Sequence, residues 1–551
     1  MGTDASEGPS VEELLHDRAG RLSADPAVPA PPGAPRRAGQ PTAWRPDWML
    51  LAGPALTLAV TAWGIGTRSY WGDEADTVSA VSRSLPALGR LLRHVDAVHG
   101  LYYLLIWPVV QVAGTGEVVT RLPSAVAMAA TAGGVAVIAR RLVSRRAALW
   151  AGLVFAVLPT VSLQAHDARP YAMVTASATA ASYLLLRVAA DPRPRWLAGY
   201  AVALGLTGYL QLFGLLLVPA HAVTLGWLVW RRTGAARGRR VPAAVFRGWL
   251  LAVAAALAAV APVAVAAWLQ RGQVSWIPRP GWKDAGNLVT TLGGGLAAAI
   301  VLGLLAVIGV AARERPGAGG PGASAARPVP ARPRAAASRP GQDVAWLAGP
   351  WLVLPPLLLI ALSEAQPVYN GRYVTYCLPA AALLAGTGLA ALPWPGPPAT
   401  LGLLAALCLP LQLAARTPGS PIQAAGNYLA HHERPGDAII YPGAFVPPWS
   451  LASPAGFSRL RDLSLAQTPA AAGQLYGTAV TRPVLIRRER GVHRIWVVQM
   501  GRGAPKPSSY LAPGFRLARR WAPGRRYLRI RLYVRHGPGG ATRRHPPRIR
   551  A

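Results

Sequence analysis

The stretch "RSYWGDEADT", residues 68 to 77, places Asp73, Glu74 and Asp76 together in a chain with 22 acidic residues against 57 basic ones. The stretch follows an apolar run, residues 49–65, long enough to cross a bilayer. Three further polar clusters stand beside apolar runs. "RHVDAVHGLYY" holds Arg93, His94, Asp96 and His99; "QAHDARPYA" holds His166, Asp167, Arg169 and Tyr171; "QPVYNGRYVTY" holds Tyr369, Asn370, Arg372 and Tyr373. A carboxylate at a low-dielectric boundary has its charge felt strongly and is suited to take a proton from an incoming hydroxyl. A guanidinium such as Arg372 grips a phosphate bidentately and offsets charge on a phosphate leaving group. Base on one side and cation on the other is a layout for displacing a lipid-linked phosphate.

Each cluster also has a plain reading. Acids and arginines flank membrane spans as solvated residues, Glu74 and Arg83 are spaced to pair, and His94 and His99 suit an interface. Tyr70, Trp71, Tyr102 and Tyr103 fit an aromatic belt. Concurrence argues against the plain reading, because a chain poor in acids puts carboxylates in three loops expected on one face and an Arg-Tyr pair in a fourth.

The elements that must position these groups are membrane helices. Of 551 residues, 52% are apolar and 14% charged, and several apolar runs exceed the length of a bilayer crossing. The net charge of +35 is almost all Arg, with Lys only at 283 and 506. Much of that Arg sits in short loops where it sets topology, so anionic membrane lipids are the expected partner. Nucleic acid is not, because an inserted bundle offers no groove reader. Cys377 and Cys408 fall within apolar runs without metal-ligand spacing and read as buried small hydrophobes.

Spans are expected at 49–66, 123–139, 147–164, 170–188, 196–212, 214–230, 248–270, 288–311, 344–363, 374–392 and 399–415. The basic connections 140–146, 231–240 and the linker are expected in the cytoplasm. Residues 101–113 are too short for a span and carry Pro108, so they read as interfacial or re-entrant. The expected organisation is a disordered cytoplasmic tail (1–46), a transmembrane catalytic domain (47–415) and a basic disordered tail (536–551). The catalytic domain contains a disordered cytoplasmic linker (313–343) rich in Pro, Gly and Ala. Between 416 and 535, "GDAIIYPG", "RIWVVQM" and "RRYLRIRLYV" read as strands and "PIQAAGNYLAHHE" as an amphipathic helix. This is a small α/β domain, placed outside the cell by the span count.

"WGDEADT", "HGLYYLL", "GEVVTRLPSAVA", "ARPYAM" and "GRYVTYCLPA" resemble, in that order, the polytopic GT-C glycosyltransferases. The likeness is to the branch holding protein O-mannosyltransferases, the aminoarabinose transferase and actinobacterial relatives. It covers about residues 49 to 415. The resemblance implies an all-α polytopic membrane bundle of about 11 to 13 transmembrane helices with the small C-terminal α/β extracytoplasmic domain. It implies a polyprenyl-phosphate sugar donor, mannose- or arabinose-like, and inverting transfer to a glycan, protein or lipid acceptor on the extracytoplasmic face of the plasma membrane. The strong Arg, Ala, Gly and Pro bias suits a high-GC actinobacterium.

The resemblance further implies that Asp73 is the acid-base residue with Glu74 as support, and that Asp167 holds the second acidic position. Arg372, Tyr373, His99 and Arg169 would hold the donor phosphate. Where relatives carry His-Pro-Pro or Lys-Pro-Pro before the "LYY", this chain has Val98-His99-Gly100. Some relatives place Mg²⁺ or Mn²⁺ at the acidic loop and others do not, so no cofactor is required and a divalent cation is the alternative. A transporter or flippase of a lipid-linked glycan is the competing reading. It calls for acids near the bilayer midplane, whereas the span interiors hold almost no ionisable residues.

Overall fold

In hydrocarbon every backbone polar group must be satisfied within its own segment, so the apolar runs fold as helices. The computed structural model describes Gly2 and residues 47–234, 241–312, 340–417, 420–443, 445–452, 454–500, 506–522 and 528–536. The expected N-terminal tail, the linker as far as residue 339 and the tail after 536 lie outside these residues. The linker was expected to run to 343, but a helix, Pro340–Ala365, already begins four residues earlier.

Among the described residues seven helices are long and apolar enough to cross a membrane. They are Glu117–Leu142, Tyr171–Ala190, Leu212–Arg231, Ala243–Leu269, Gly341–Ala365, Gly371–Ala391 and Gly396–Ala414. Two bent pairs raise the number to nine if each is one span: Arg145–Val157 with Pro159–Ala165, bent by 64°, and Gly286–Gly293 with Leu296–Ala311, bent by 65°. Local chemistry explains both bends. Leu158 precedes a proline and is extended, while Gly294 and Gly295 take φ of 74° and 106°, which glycine adopts without a Cβ clash. Two of the eleven expected spans are shorter helices. Residues 49–66 give only Trp48–Ala62, stopped by extended Trp63 and left-handed Gly64. Residues 196–212 give Pro194–Leu210, stopped by extended Gln211. Tight packing uses small residues, as expected where lipid supplies no hydrophobic drive between helices. A Cβ at Gly388 would stand 1.9 Å from the Leu305 carbonyl oxygen, and one at Gly386 2.3 Å from Ala151 Cα.

The short segment forms the helix Gly100–Ala113. His99 precedes it in the candidate site, and Thr115, just beyond it, accepts a hydrogen bond from Tyr70 Oη at 2.7 Å. Both its ends therefore lie at one end of the bundle. At the other end, Arg140 and Arg145 hold Asp47, and Arg231 pairs with Asp343.

The C-terminal region forms a five-stranded sheet in the order β3-β1-β6-β8-β7 and a three-stranded sheet in the order β2-β5-β4. The strands are β1 (Ala438–Ile440), β2 (Phe445–Val446), β3 (Arg461–Asp462), β4 (Leu465–Gln467), β5 (Gly477–Ala479), β6 (Arg494–Met500), β7 (Phe515–Trp521) and β8 (Leu528–Arg535). β1 pairs in parallel with β3 and β6, and β8 runs antiparallel to β6 and β7. The helix Pro421–His432 lies on one face. Tyr70, Ala75 and Val78 share that face's core with Ile422, Leu429 and Trp496. The helix Gly72–Val81, which carries all three opening carboxylates, is therefore wedged between the bundle and the C-terminal sheet.

Candidate active site

Asp73 and Glu74 lie in the first turn of the helix Gly72–Val81, where the helix dipole favours negative charge. Glu74 Oε2 also accepts from the Trp71 backbone N–H at 3.3 Å. From this start the three neighbouring acids diverge. Asp73 remains partly exposed, and Arg372, 299 positions later, donates to its Oδ2 at 3.2 Å. The Arg372 guanidinium lies 4.5 Å from the Trp71 ring centroid and 5.9 Å from that of Tyr171, in the geometry of a cation–π contact.

Glu74 turns inward. Arg121 grips it bidentately, Nε to Oε1 at 2.8 Å and Nη2 to Oε2 at 2.7 Å, with both side chains 1% exposed. The Ala168 N–H adds a third donor at 2.9 Å. Arg121 spends its remaining nitrogen on the Ile65 and Arg68 carbonyls. Glu74 thus pins the loop 65–71, the helix Glu117–Leu142 and the loop before Tyr171 to one point. The possible Glu74–Arg83 pairing does not form; Arg83 instead donates to Ser79 and to the Gln474 carbonyl.

Asp167 is buried and accepts from Trp71 Nε1 at 3.1 Å. Burial raises its carboxyl pKa and the nearby charge of Glu74 adds to the rise, while Arg372 and Arg169 pull it back. Arg169 reaches the Asp73 carbonyl at 3.3 Å and His99 Nε2 at 2.9 Å. A guanidinium only donates, so His99 Nε2 accepts, and the ring proton sits on Nδ1, which donates to Asp96 Oδ1 at 2.9 Å. Tyr103 Oη donates to the other oxygen of Asp96. Both ring nitrogens of His99 are therefore used within the protein. In this arrangement the ring expected to hold donor phosphate is committed to Asp96 and Arg169. The Tyr373 ring packs between Phe213 and Tyr171.

A cavity of about 300 Å³ opens beside this cluster, lined among others by Ser69, Glu74, Gln164, Asp167, Thr291 and Arg372. A second of about 300 Å³ is lined by Trp276, Asp284, Tyr369, Asn370, Thr291 and Arg372, so Arg372 and Thr291 stand where the two meet. Asp73 is not in the lining of either and touches Arg372 from outside both. As for a divalent cation, no group of three or more His, Cys, Asp or Glu side chains among the described residues is placed to hold one. Glu74, the acid closest in sequence to Asp73, has its oxygens saturated by Arg121. The residues present do not fit a metal at this loop.

Sequence reasoning missed Arg121, Trp71 and Gln164 as parts of the site. Arg121 did carry a signal, since it is an arginine at the start of an otherwise apolar run, inside a motif already quoted. Both cysteines are buried and free, as expected. The expectation that span interiors hold almost no ionisable groups omitted His221, which is fully buried and bonded to Ser182 Oγ and Tyr200 Oη.

Asp76 faces the C-terminal region, where Tyr476 Oη donates to its Oδ2 at 3.4 Å. Burial pushes its carboxyl up to about 8, and the charges of Asp96 and Asp73 add to the push against the pull of Arg169. An unfolded Asp titrates near pH ~4, so between there and pH 8 the folded chain holds a proton the unfolded chain has released. The stability this supplies is complete below the unfolded value and is lost as pH rises through the folded one. Thermal unfolding of Asp76→Asn should show a flatter decline between pH 5 and 8 than the parent; an unchanged slope would remove Asp76 as its source.

Residues 101–268 match the family described as dolichyl-phosphate-mannose-protein mannosyltransferase. Among solved structures, ArnT from Cupriavidus metallidurans in the apo state is similar over 88% of this chain and 97% of that one, at 16% identity and a TM-score of 0.53. The same protein bound to undecaprenyl phosphate is similar over 90% and 99%, at 16% identity and a TM-score of 0.52. At that identity the likeness is one of fold. Comparison with curated proteins gives no match.

Proposed function

We propose that this chain transfers a sugar, mannose- or arabinose-like, from a polyprenyl-phosphate donor to an acceptor at the extracytoplasmic membrane face, a reading supported by the fold it shares with ArnT. The observation that carries this reading is the contact between Asp73 and Arg372, the arginine that lines both cavities. The family match over residues 101–268 and the undecaprenyl phosphate bound by the similar ArnT support the choice of donor.

In the proposed reaction the donor phosphate lies on Arg372, drawing the guanidinium from Asp73 and freeing that carboxylate. The acceptor hydroxyl gives its proton to Asp73 as its oxygen bonds C1 of the sugar. The C1–O bond to phosphate breaks on the opposite face, the electron pair leaves with polyprenyl phosphate, and C1 is inverted. Arg372 offsets the charge left on the phosphate. Glu74 holds the geometry, Asp167 faces the sugar side, and Arg169 is oriented by His99 beneath Asp73. Transport fits the helices less well. Arg121 is ion-paired and His221 is satisfied on both nitrogens, so neither offers a free charge to a passing solute.

Arg372→Ala tests the phosphate contact. Hydrogen bonds to a charged group contribute about 1.5–3 kcal/mol, so donor KM should rise roughly 10- to 150-fold with acceptor KM little changed. An unchanged donor KM would remove Arg372 from the donor site.

A further inference from the structure

Most polar groups around the first cavity are engaged within the protein. Glu74 and Arg121 hold each other, Asp167 Oδ1 accepts from Trp71, His166 Nε2 bonds the Thr61 carbonyl, and Thr160 donates to the Thr291 carbonyl. Two atoms stand apart. Gln164 Oε1 and Ser69 Oγ are buried and have no hydrogen-bond partner, on residues 5% and 8% exposed. Both residues line the cavity, Gln164 from the helix Pro159–Ala165 and Ser69 from the loop before Gly72. A buried polar atom left without a partner costs folding free energy, and native structures rarely keep one without a reason.

We infer that Gln164 and Ser69 read the hydroxyl groups of the donor's sugar ring inside this cavity. The inference rests on the proposed donor reaction, and Arg372 fixes the orientation. A phosphate on that guanidinium sits at the cavity wall, so the sugar attached to it enters the space lined by Gln164, Ser69 and Asp167. The chemistry of the two orphan atoms selects the ligand class. An amide carbonyl only accepts, so Gln164 Oε1 needs an O–H or N–H donor, and a serine hydroxyl both donates and accepts. A polyhydroxylated ring satisfies both, whereas an ionised lipid phosphate can accept from Ser69 but offers no donor to Gln164 Oε1. The two residues are thus specificity-determining, and they discriminate sugar-bearing from sugar-free lipid phosphate and one ring from another.

The test measures binding by the full-length purified chain and its Gln164→Leu and Ser69→Ala variants. The probes are polyprenyl phosphate, polyprenyl-phosphate mannose and polyprenyl-phosphate arabinose. Each variant should bind sugar-free polyprenyl phosphate as the parent does and lose about 3- to 10-fold in affinity for the better of the two sugar-bearing lipids. Neither should lower the Tm of the unliganded chain, because each removes an unpartnered polar atom rather than a bond. Equal affinity changes for sugar-bearing and sugar-free lipid, or no change in either, would overturn the inference, as would a fall in Tm with affinities intact. If the parent binds no lipid phosphate, the donor reading itself fails and takes this inference with it. If the parent binds sugar-bearing lipid tightly and the variants match it, only the inference fails.

Discussion

Asp73→Asn should abolish measurable transfer while leaving the protein folded and inserted. A positioned general base contributes about 10²–10⁴-fold in rate, and asparagine cannot take the acceptor's proton. The structural cost should be small. The Asp73 and Arg372 side chains are 36% and 29% exposed, and ion pairs with this much water contact contribute about 0–1 kcal/mol. The asparagine carbonyl also remains able to accept from Arg372. Thermal unfolding and gel-filtration profiles should therefore match the parent while kcat collapses. Near-normal kcat in Asp73→Asn would remove it as the base.

Glu74→Gln, one residue along, should do the reverse and damage the fold. Its carboxylate and the Arg121 guanidinium are each 1% exposed and bonded at 2.7 and 2.8 Å. Removing one charge leaves the other buried and uncompensated, at a cost of about 3–5 kcal/mol. The pair also gathers the 65–71 loop, the helix Glu117–Leu142 and the Ala168 N–H, so its loss should loosen together the parts of the first cavity's lining that these segments supply. Replacing both partners by apolar residues of similar volume, Glu74→Leu with Arg121→Met, should recover much of the stability, since the desolvation of two charges is then also avoided. Thermal unfolding of the two single variants and the double variant measures this coupling. If the single variants unfold at the parent's Tm, the ion pair is not what holds the loops.

The sequence made parts of this architecture readable for identifiable reasons. Asp73 is conspicuous because acids are scarce in this chain, and the strands around Ile439, Val497 and Leu532 show in their β-branched and aromatic content. The helix Gly100–Ala113 was set apart from the longer spans by its short apolar run and by Pro108. That Arg372 meets Asp73 was suggested by a resemblance, since no local pattern links residues 299 positions apart. Long-range pairings were otherwise opaque. Glu74 has a candidate partner nine residues away in Arg83, yet the fold brings Arg121 from the next long helix instead. His99 looked free to bind a ligand until the structure put Asp96 on one ring nitrogen and Arg169 on the other. The first span's end was misjudged because the apolar run continues past the helix at Trp63, and an apolar residue in an extended conformation looks the same in sequence as one in a helix.

In the proposed reaction Asp73 and Arg372 form one reaction centre at which a lipid-phosphate sugar is consumed. This is tested most directly by reconstituting the purified chain in vesicles with polyprenyl phosphate carrying radiolabelled mannose or arabinose, and following the label. Label leaving the lipid for an acceptor with the parent chain, and remaining on the lipid with Asp73→Asn, is the predicted result. Label that stays on the lipid with the parent chain while the intact donor crosses the bilayer would contradict it.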